Sequence, residues 1–365
     1  MKSIVAFIAG VLLLAVAASY GEPGQYWHSY LVATVFFLSL GLGALFFVLV
    51  HALARAGWHV VLRRQAEHVM ATIPVMGVLM IPLFFHLDAL YPWVSDPIEA
   101  KAAYLNPSAF VTRGVFYLAV WSLIAWWFRR QSMKQDHTAD SAITRRLQTA
   151  SAPALIVFGG SITFAAFDWL MSLDPHWYSS IFGVYFFAGT VVAFFAFQVL
   201  LAATRGEQVT AEHFHGLGKL LFGFVCFWAY IAFSQYLLIW YAAIPEETLW
   251  YRHRFEGSWF GLSLLLAVGH FVLPFFFFLP VRSKKSRTLR TGGAIWLLAM
   301  HYLDLYWVVL PELRPRGVSF HWLDFATMVG VATVFGSGVS IFSSRSRAIP
   351  ESDPRLAESL SFKNV

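Results

Sequence analysis

The sequence predicts an all-α integral membrane protein of about ten transmembrane helices. Three observations carry that expectation. Of 365 residues, 58% are hydrophobic and only 13% charged, against roughly 45–50% apolar and about 25% charged in an average soluble domain. The chain also divides into ten apolar stretches near the roughly 20 residues that a helix needs to cross a bilayer core. Finally, its lysines and arginines fall in alternate connections: nineteen lie on one side and five on the other. That asymmetry places both termini in the cytoplasm. It also assigns the net charge of +6 to basic loops rather than to nucleic-acid binding. The single cysteine, Cys226, excludes an internal disulfide and any cysteine-ligated iron–sulfur cluster or four-cysteine zinc site in this chain.

The first span is read at 3–20. Met1-Lys2 and an apolar run ending Ala15-Val16-Ala17 have the outline of a secretory signal, and we expect the segment to be retained as a helix. The second and third spans are placed at 29–51 and 69–88. The fourth, 108–128, is opened by Arg113, and a short polar connection at 129–151 follows. The fifth, 152–173, carries Asp168 in its outer third, with Ser161 and Ser172 near the same face. The sixth is 179–202. The seventh, 217–243, begins with Lys219 and carries Tyr230, Ser234 and Gln235. The eighth, 257–280, holds His270 near its middle. Pro274, four residues on, cannot donate to the carbonyl of His270, and a free acceptor at that depth points to a polar cavity. The ninth, 291–310, carries His301 and, one turn later, Asp304. The tenth is 319–343.

A charge at the bilayer centre costs on the order of 3 kcal/mol, so ionisable residues there are functional candidates. A proton path is the first reading, through Asp168, His301, Asp304, His270, Lys219, Arg113, Tyr230 and Ser234. His270, His301 and Asp304 would form one chain running outward from mid-membrane. A quinone site, an apolar slot with a few protonatable partners, would draw on Asp168, Gln235 and His301. The structural alternatives stand beside these. Asp168 or Asp304 would pair with Arg113 or a tryptophan indole, the histidines would be satisfied core residues, and Lys219 would snorkel to the interface. Rim residues (His51, His59, His68, His213 and His215 on the basic side; Asp88, Asp174, His176, His321 and Asp324 on the other) read first as solvated. No nucleotide-binding loop, zinc-protease motif or serine triad spacing appears.

Four stretches carry a family resemblance. Phe167-Asp168-Trp169-Leu170-Met171-Ser172-Leu173-Asp174-Pro175-His176-Trp177-Tyr178-Ser179 is the longest. The others are Gly41 to Phe47 with Gly57-Trp58, then Phe227-Trp228-Ala229-Tyr230 through Gln235 to Ile244-Pro245-Glu246-Glu247-Thr248, and His301-Tyr302-Leu303-Asp304-Leu305-Tyr306-Trp307. Together they resemble the ActF membrane subunit of bacterial alternative complex III, which is similar to NrfD and polysulfide-reductase anchors. The resemblance implies two four-helix bundles plus peripheral helices. It implies a bacterial inner-membrane quinol:cytochrome c (or other acceptor) oxidoreductase. The partners would be a second NrfD-like membrane subunit, periplasmic multihaem cytochrome and iron–sulfur subunits, and lipids. Haem and iron–sulfur clusters would sit in those partners. No cofactor would be covalently bound here, and the quinone would be menaquinone or another quinone. The second membrane subunit is the better candidate for quinol oxidation. The role implied for this chain is a proton path, with Asp168 and Asp304 as the family's buried acids and His301 their neighbour, or a structural pairing. A directly quinol-binding subunit and a stand-alone secondary transporter are the alternatives.

Overall fold

The computed structural model describes residues 1–204 and 206–364; Arg205, counted above among the basic-side charges, lies outside them. Among the described residues the chain is helical throughout, with no strand. Ten helices are long and apolar enough to cross a membrane: α1 Lys2–Tyr20, α2 Pro23–Leu53, α3 Val60–Phe84, α4 Pro107–Thr138, α5 Ser141–Leu173, α6 Phe182–Ala202, α7 Ala211–Ala242, α8 Gly257–Phe278, α9 Arg287–Leu313 and α10 Trp322–Ser344. The protein is an all-α, ten-span membrane protein.

The helices group by contact. α2 to α5 pack around one another, as do α6 to α9, and α1 lies against α10 at the side. Within each group, consecutive helices run antiparallel. Tyr30 near the start of α2 donates to the Leu79 carbonyl near the end of α3 (2.7 Å). Ser179 just ahead of α6 donates to Gln235 late in α7 (2.9 Å). α2 joins the groups. It packs on α3, α5, α6, α9 and α10, and 94% of its most apolar window is buried, as expected of a helix apolar on every side. Gly43 permits the tight crossing with α6, because a Cβ there would stand 2.3 Å from the Cβ of Phe194.

Several boundaries differ from the sequence reading, each for a physical reason. The third span begins at Val60 instead of 69, because three charged residues that look unfit for a buried helix neutralise one another. Arg63 and Arg64 pair with Glu67 at 3.2 and 2.8 Å, Arg63 reaches Asp353 at 2.6 Å, and Arg64 reaches Asp136 at 2.5 Å. This helix breaks at Ala71–Thr72, just ahead of Pro74, which has no N–H for the carbonyl of Met70. The stretch 129–151 is not a polar loop. α4 and α5 continue through it, separated by Ala139 in a left-handed conformation (φ 52°) and by Asp140, whose side chain caps α5. In α8, the consequence of Pro274 is a π-helical turn over Ala267–Val272, the usual way a helix absorbs such a defect. Finally, residues beyond α10 fold back onto the basic end. Ser359 donates to the Trp58 carbonyl (2.7 Å) and accepts from the Val61 amide, and its own carbonyl meets His213 Nε2 (3.0 Å).

Candidate functional site

Asp168 and Asp304 are both fully or nearly fully buried (0% and 3% exposed). Each lies in the second half of the fourth helix of its group, α5 in one and α9 in the other. Their partners differ in charge. Arg113 of α4 grips Asp168 with two bonds of 2.9 Å, Nε to Oδ2 and Nη2 to Oδ1. Tyr117, one turn further along α4, donates to Oδ2 at 2.8 Å. Arg113 itself lies 3.9 Å over the Tyr104 ring. This bidentate, hydrogen-bonded pair is the structural alternative raised from the sequence, and it is well suited to burying a carboxylate. Ser161 and Ser172 do not touch the carboxyl. The first accepts from the Trp121 indole (2.7 Å) and the second donates to the Asp168 backbone carbonyl (2.5 Å).

Asp304 has donors but no cation. Tyr185 of α6 donates to Oδ1, and the Trp228 indole of α7 donates to Oδ2 at 3.2 Å. No ion pair joins it among the described residues. His301 lies one turn earlier on α9 and is 1% exposed. Its Nε2 meets Ser39 Oγ of α2 at 3.0 Å, while Nδ1 has no hydrogen-bond partner among the described residues. Gly189 of α6 keeps the space beside both groups open. A Cβ there would stand 3.2 Å from His301 Nδ1 and 3.6 Å from Asp304 Oδ2.

His270 is not hydrogen-bonded into this group. Its ring lies on the Trp228 ring, centroids 4.0 Å apart, and neither ring nitrogen has a hydrogen-bond partner among the described residues. The connection from His270 to Asp304 therefore runs through the indole of Trp228 by stacking and not through a chain of hydrogen bonds. Among the described residues none of the remaining predicted ones is hydrogen-bonded to Asp304, although Tyr230 and Gln235 line the same cavity as its carboxyl. Lys219 stands exposed at the basic end of α7, and Tyr230 is 67% exposed on the outside of the bundle. Ser234 is half-buried one turn further along. Asp168 and Arg113 share no polar partner with His301 or Asp304.

A cavity of about 670 Å³ lies between α7, α8, α9 and the short helix Pro245–Arg254. Phe233, Phe255, Phe271 and Trp307 give it an apolar, aromatic wall, and Asp304, Tyr185, Gln235 and Tyr251 supply its polar points. Gln235 donates to the Tyr251 hydroxyl at 3.0 Å and accepts from Ser179. Of the three residues expected to hold a quinone, only Gln235 lines this space; Asp168 and His301 do not. Tyr230 and Phe233 on the rim are exposed on the outside of the helices, so the cavity faces the lipid side.

Sequence reasoning missed three features of the site. Tyr185 and Trp228, the two donors to Asp304, carry no contrast in a chain with 14 tyrosines and 15 tryptophans. Arg254, counted as an ordinary loop charge, is fully buried. It donates to the carbonyls of Trp307 (3.2 Å) and Val308 (2.8 Å) in α9 and lies 3.5 Å over the Trp250 ring. The first of those carbonyls is the one that Pro311 leaves without its helical donor. Burial lowers the Arg254 pKa from its ordinary value, and neighbouring Glu312 opposes that shift. The rim residue Asp324 is also structural, accepting from Gln25 (3.0 Å), Ser29 (2.5 Å) and the His321 amide (2.8 Å).

The chain matches no protein-family model, and no curated protein matches it.

Proposed function

We propose that this chain is an integral membrane subunit of a quinol-oxidising respiratory complex in a bacterial inner membrane, with both termini in the cytoplasm. In this reading, electrons pass to cytochrome c or another acceptor through haem and iron–sulfur partner subunits. The chain pairs with a similar membrane subunit and contributes a proton-exchanging centre at Asp304 and His301. The ordered motif resemblance supports the assignment to such a complex. One observation carries the role of Asp304: a buried carboxyl with two neutral donors and no cation, set in the wall of an aromatic cavity. A group with no fixed counter-charge can lose and regain a proton without breaking an ion pair. Asp168, clamped by Arg113, has the opposite character and serves as a structural anchor in this reading.

A second reading is favoured by the cavity itself. Its size lies within the range of small-molecule sites, and Gln235, Tyr251 and Tyr185 would offer hydrogen bonds to the oxygens of a quinone ring. Labelling with an azidoquinone would distinguish the two. Modification at α7 or at Pro245–Arg254 supports direct quinone binding here, and labelling confined to a partner subunit supports the proton role alone.

The assignment to a complex is tested by purifying the tagged chain from its native membrane in mild detergent. The expected outcome is co-purification with a multihaem protein, an iron–sulfur protein and a second ten-span-like subunit. Recovery as a single species without redox partners would contradict it and favour a stand-alone transporter.

A further inference from the structure

A second groove, of about 590 Å³, runs between the end of α8 and the start of α9 and is separate from the Asp304 cavity. Leu273, Phe277, Leu289, Gly292 and Trp296 are among its walls. It is apolar and turned outward, since Leu273, Leu289 and Trp296 are all exposed. The connection between the two helices runs from the groove-lining Phe278 to the groove-lining Thr288, and five basic residues fall within 281–290.

Three of those five are committed to the protein. Lys284 donates to the Phe278 and Leu279 carbonyls at 2.6 and 3.1 Å. Lys285 pairs with Glu212 at 2.6 Å. Arg290 lies 3.5 Å over the Phe214 ring and donates to the Lys285 carbonyl. The other two, Arg282 and Arg287, are exposed and make no side-chain hydrogen bond or ion pair among the described residues. Arg287 immediately precedes Thr288, and Arg282 lies four residues beyond Phe278, both of which line the groove.

We propose that this groove binds an anionic phospholipid. Its acyl chain lies along α8 and α9 over Gly292, and its phosphate and headgroup meet Arg282 and Arg287 at the basic face. Charge complementarity selects this occupant. A lipid presents an apolar tail and a negative head in the order in which the groove presents an apolar trough and two unspent cations. A partner's transmembrane helix would fill the trough but leave both guanidinium groups unanswered.

The test uses the full-length chain in detergent, challenged with phosphatidylglycerol and with phosphatidylcholine of the same acyl chains, and read by native mass spectrometry. Two arginines near an anionic headgroup predict a preference for phosphatidylglycerol of about tenfold to thirtyfold. Arg282→Gln with Arg287→Gln, both at exposed positions, brings the preference close to one while neutral lipid still binds. Gly292→Leu fills the trough and reduces retention of both lipids. It does so without crowding the fold, because a Cβ at 292 meets nothing within 4 Å. Equal retention of the two lipids by the unaltered chain would overturn the proposal, as would an undiminished preference in the double variant. So would crosslinking of a partner helix into the groove with lipid excluded.

Discussion

Asp168 and Asp304 sit at matching places in successive helix groups and meet opposite partners, one a guanidinium and the other a phenol and an indole. The contrast predicts different responses to substitution. Arg113→Gln strands the Asp168 carboxylate in a buried site and is expected to cost about 3–5 kcal/mol of stability. Arg113→Gln combined with Asp168→Asn removes both charges and is expected to recover most of that loss. Thermal unfolding in detergent, followed by tryptophan fluorescence, checks this. Two equal and additive losses would mean that the pair is not coupled. The acids themselves were legible in the sequence because a lone aspartate in an apolar run stands out. Their partners were only half legible. Arg113 is itself a rare charge inside a span and so stands out as a neutraliser, whereas Tyr185 and Trp228 are aromatic residues among many. No one-dimensional pattern distinguishes a tryptophan that donates to a carboxylate from one that fills a gap.

Helix α9 runs through Pro311, which supplies no backbone donor, and a residue from outside the helix makes up the loss. Arg254, from the short helix Pro245–Arg254, supplies a donor to the Trp307 carbonyl and stacks on Trp250. Arg254→Met is expected to lower stability by about 1–3 kcal/mol through the unsatisfied carbonyl. Adding Pro311→Ala, which restores a backbone N–H opposite that carbonyl, should return part of the loss. The thermal midpoint of the double variant against each single variant measures this, and strict additivity would refute the repair. At this scale the sequence was clear about which segments are helices and less clear about where they end. The apolar windows located all ten spans. The extensions of α3, α4 and α5 were hidden because charged residues read as loop until their partners are known. Glu67 looks exposed in isolation, yet it is enclosed by Arg63 and Arg64. The π turn in α8 was foreshadowed by Pro274, although its i→i+5 form was not.

The molecule as a whole is two antiparallel four-helix groups joined along α2, with α1 and α10 at the side. The chain following α10 clamps the basic end of both groups, reaching Arg63 of α3 through Asp353 and His213 of α7 through Ser359. Asp353→Ala removes a buried partner of Arg63 and should release this tail. Limited proteolysis at residues 345–364 is expected to quicken by about tenfold or more, given what the loss of a buried ion pair costs; an unchanged cleavage rate would show that the pair does not hold the tail. The sequence reading gave the tail no role, because a segment without an apolar period leaves no sign of where it docks. The two groups run in the same sense, so Asp168 and Asp304 do not have the opposed orientation that the inverted repeats common in transporters would give them. Among the described residues only Asp168 meets a cation, and that difference is the basis for assigning proton exchange to the second group alone. The most direct measurement compares Asp304→Asn with the charge-neutral Arg113→Gln/Asp168→Asn variant in the purified complex, reconstituted in liposomes and supplied with quinol. Asp304→Asn is expected to lower quinol-driven proton release by about a hundredfold while the complex still assembles, and the neutral pair is expected to release protons nearly as the unaltered complex does. Wild-type proton release from Asp304→Asn would contradict that assignment.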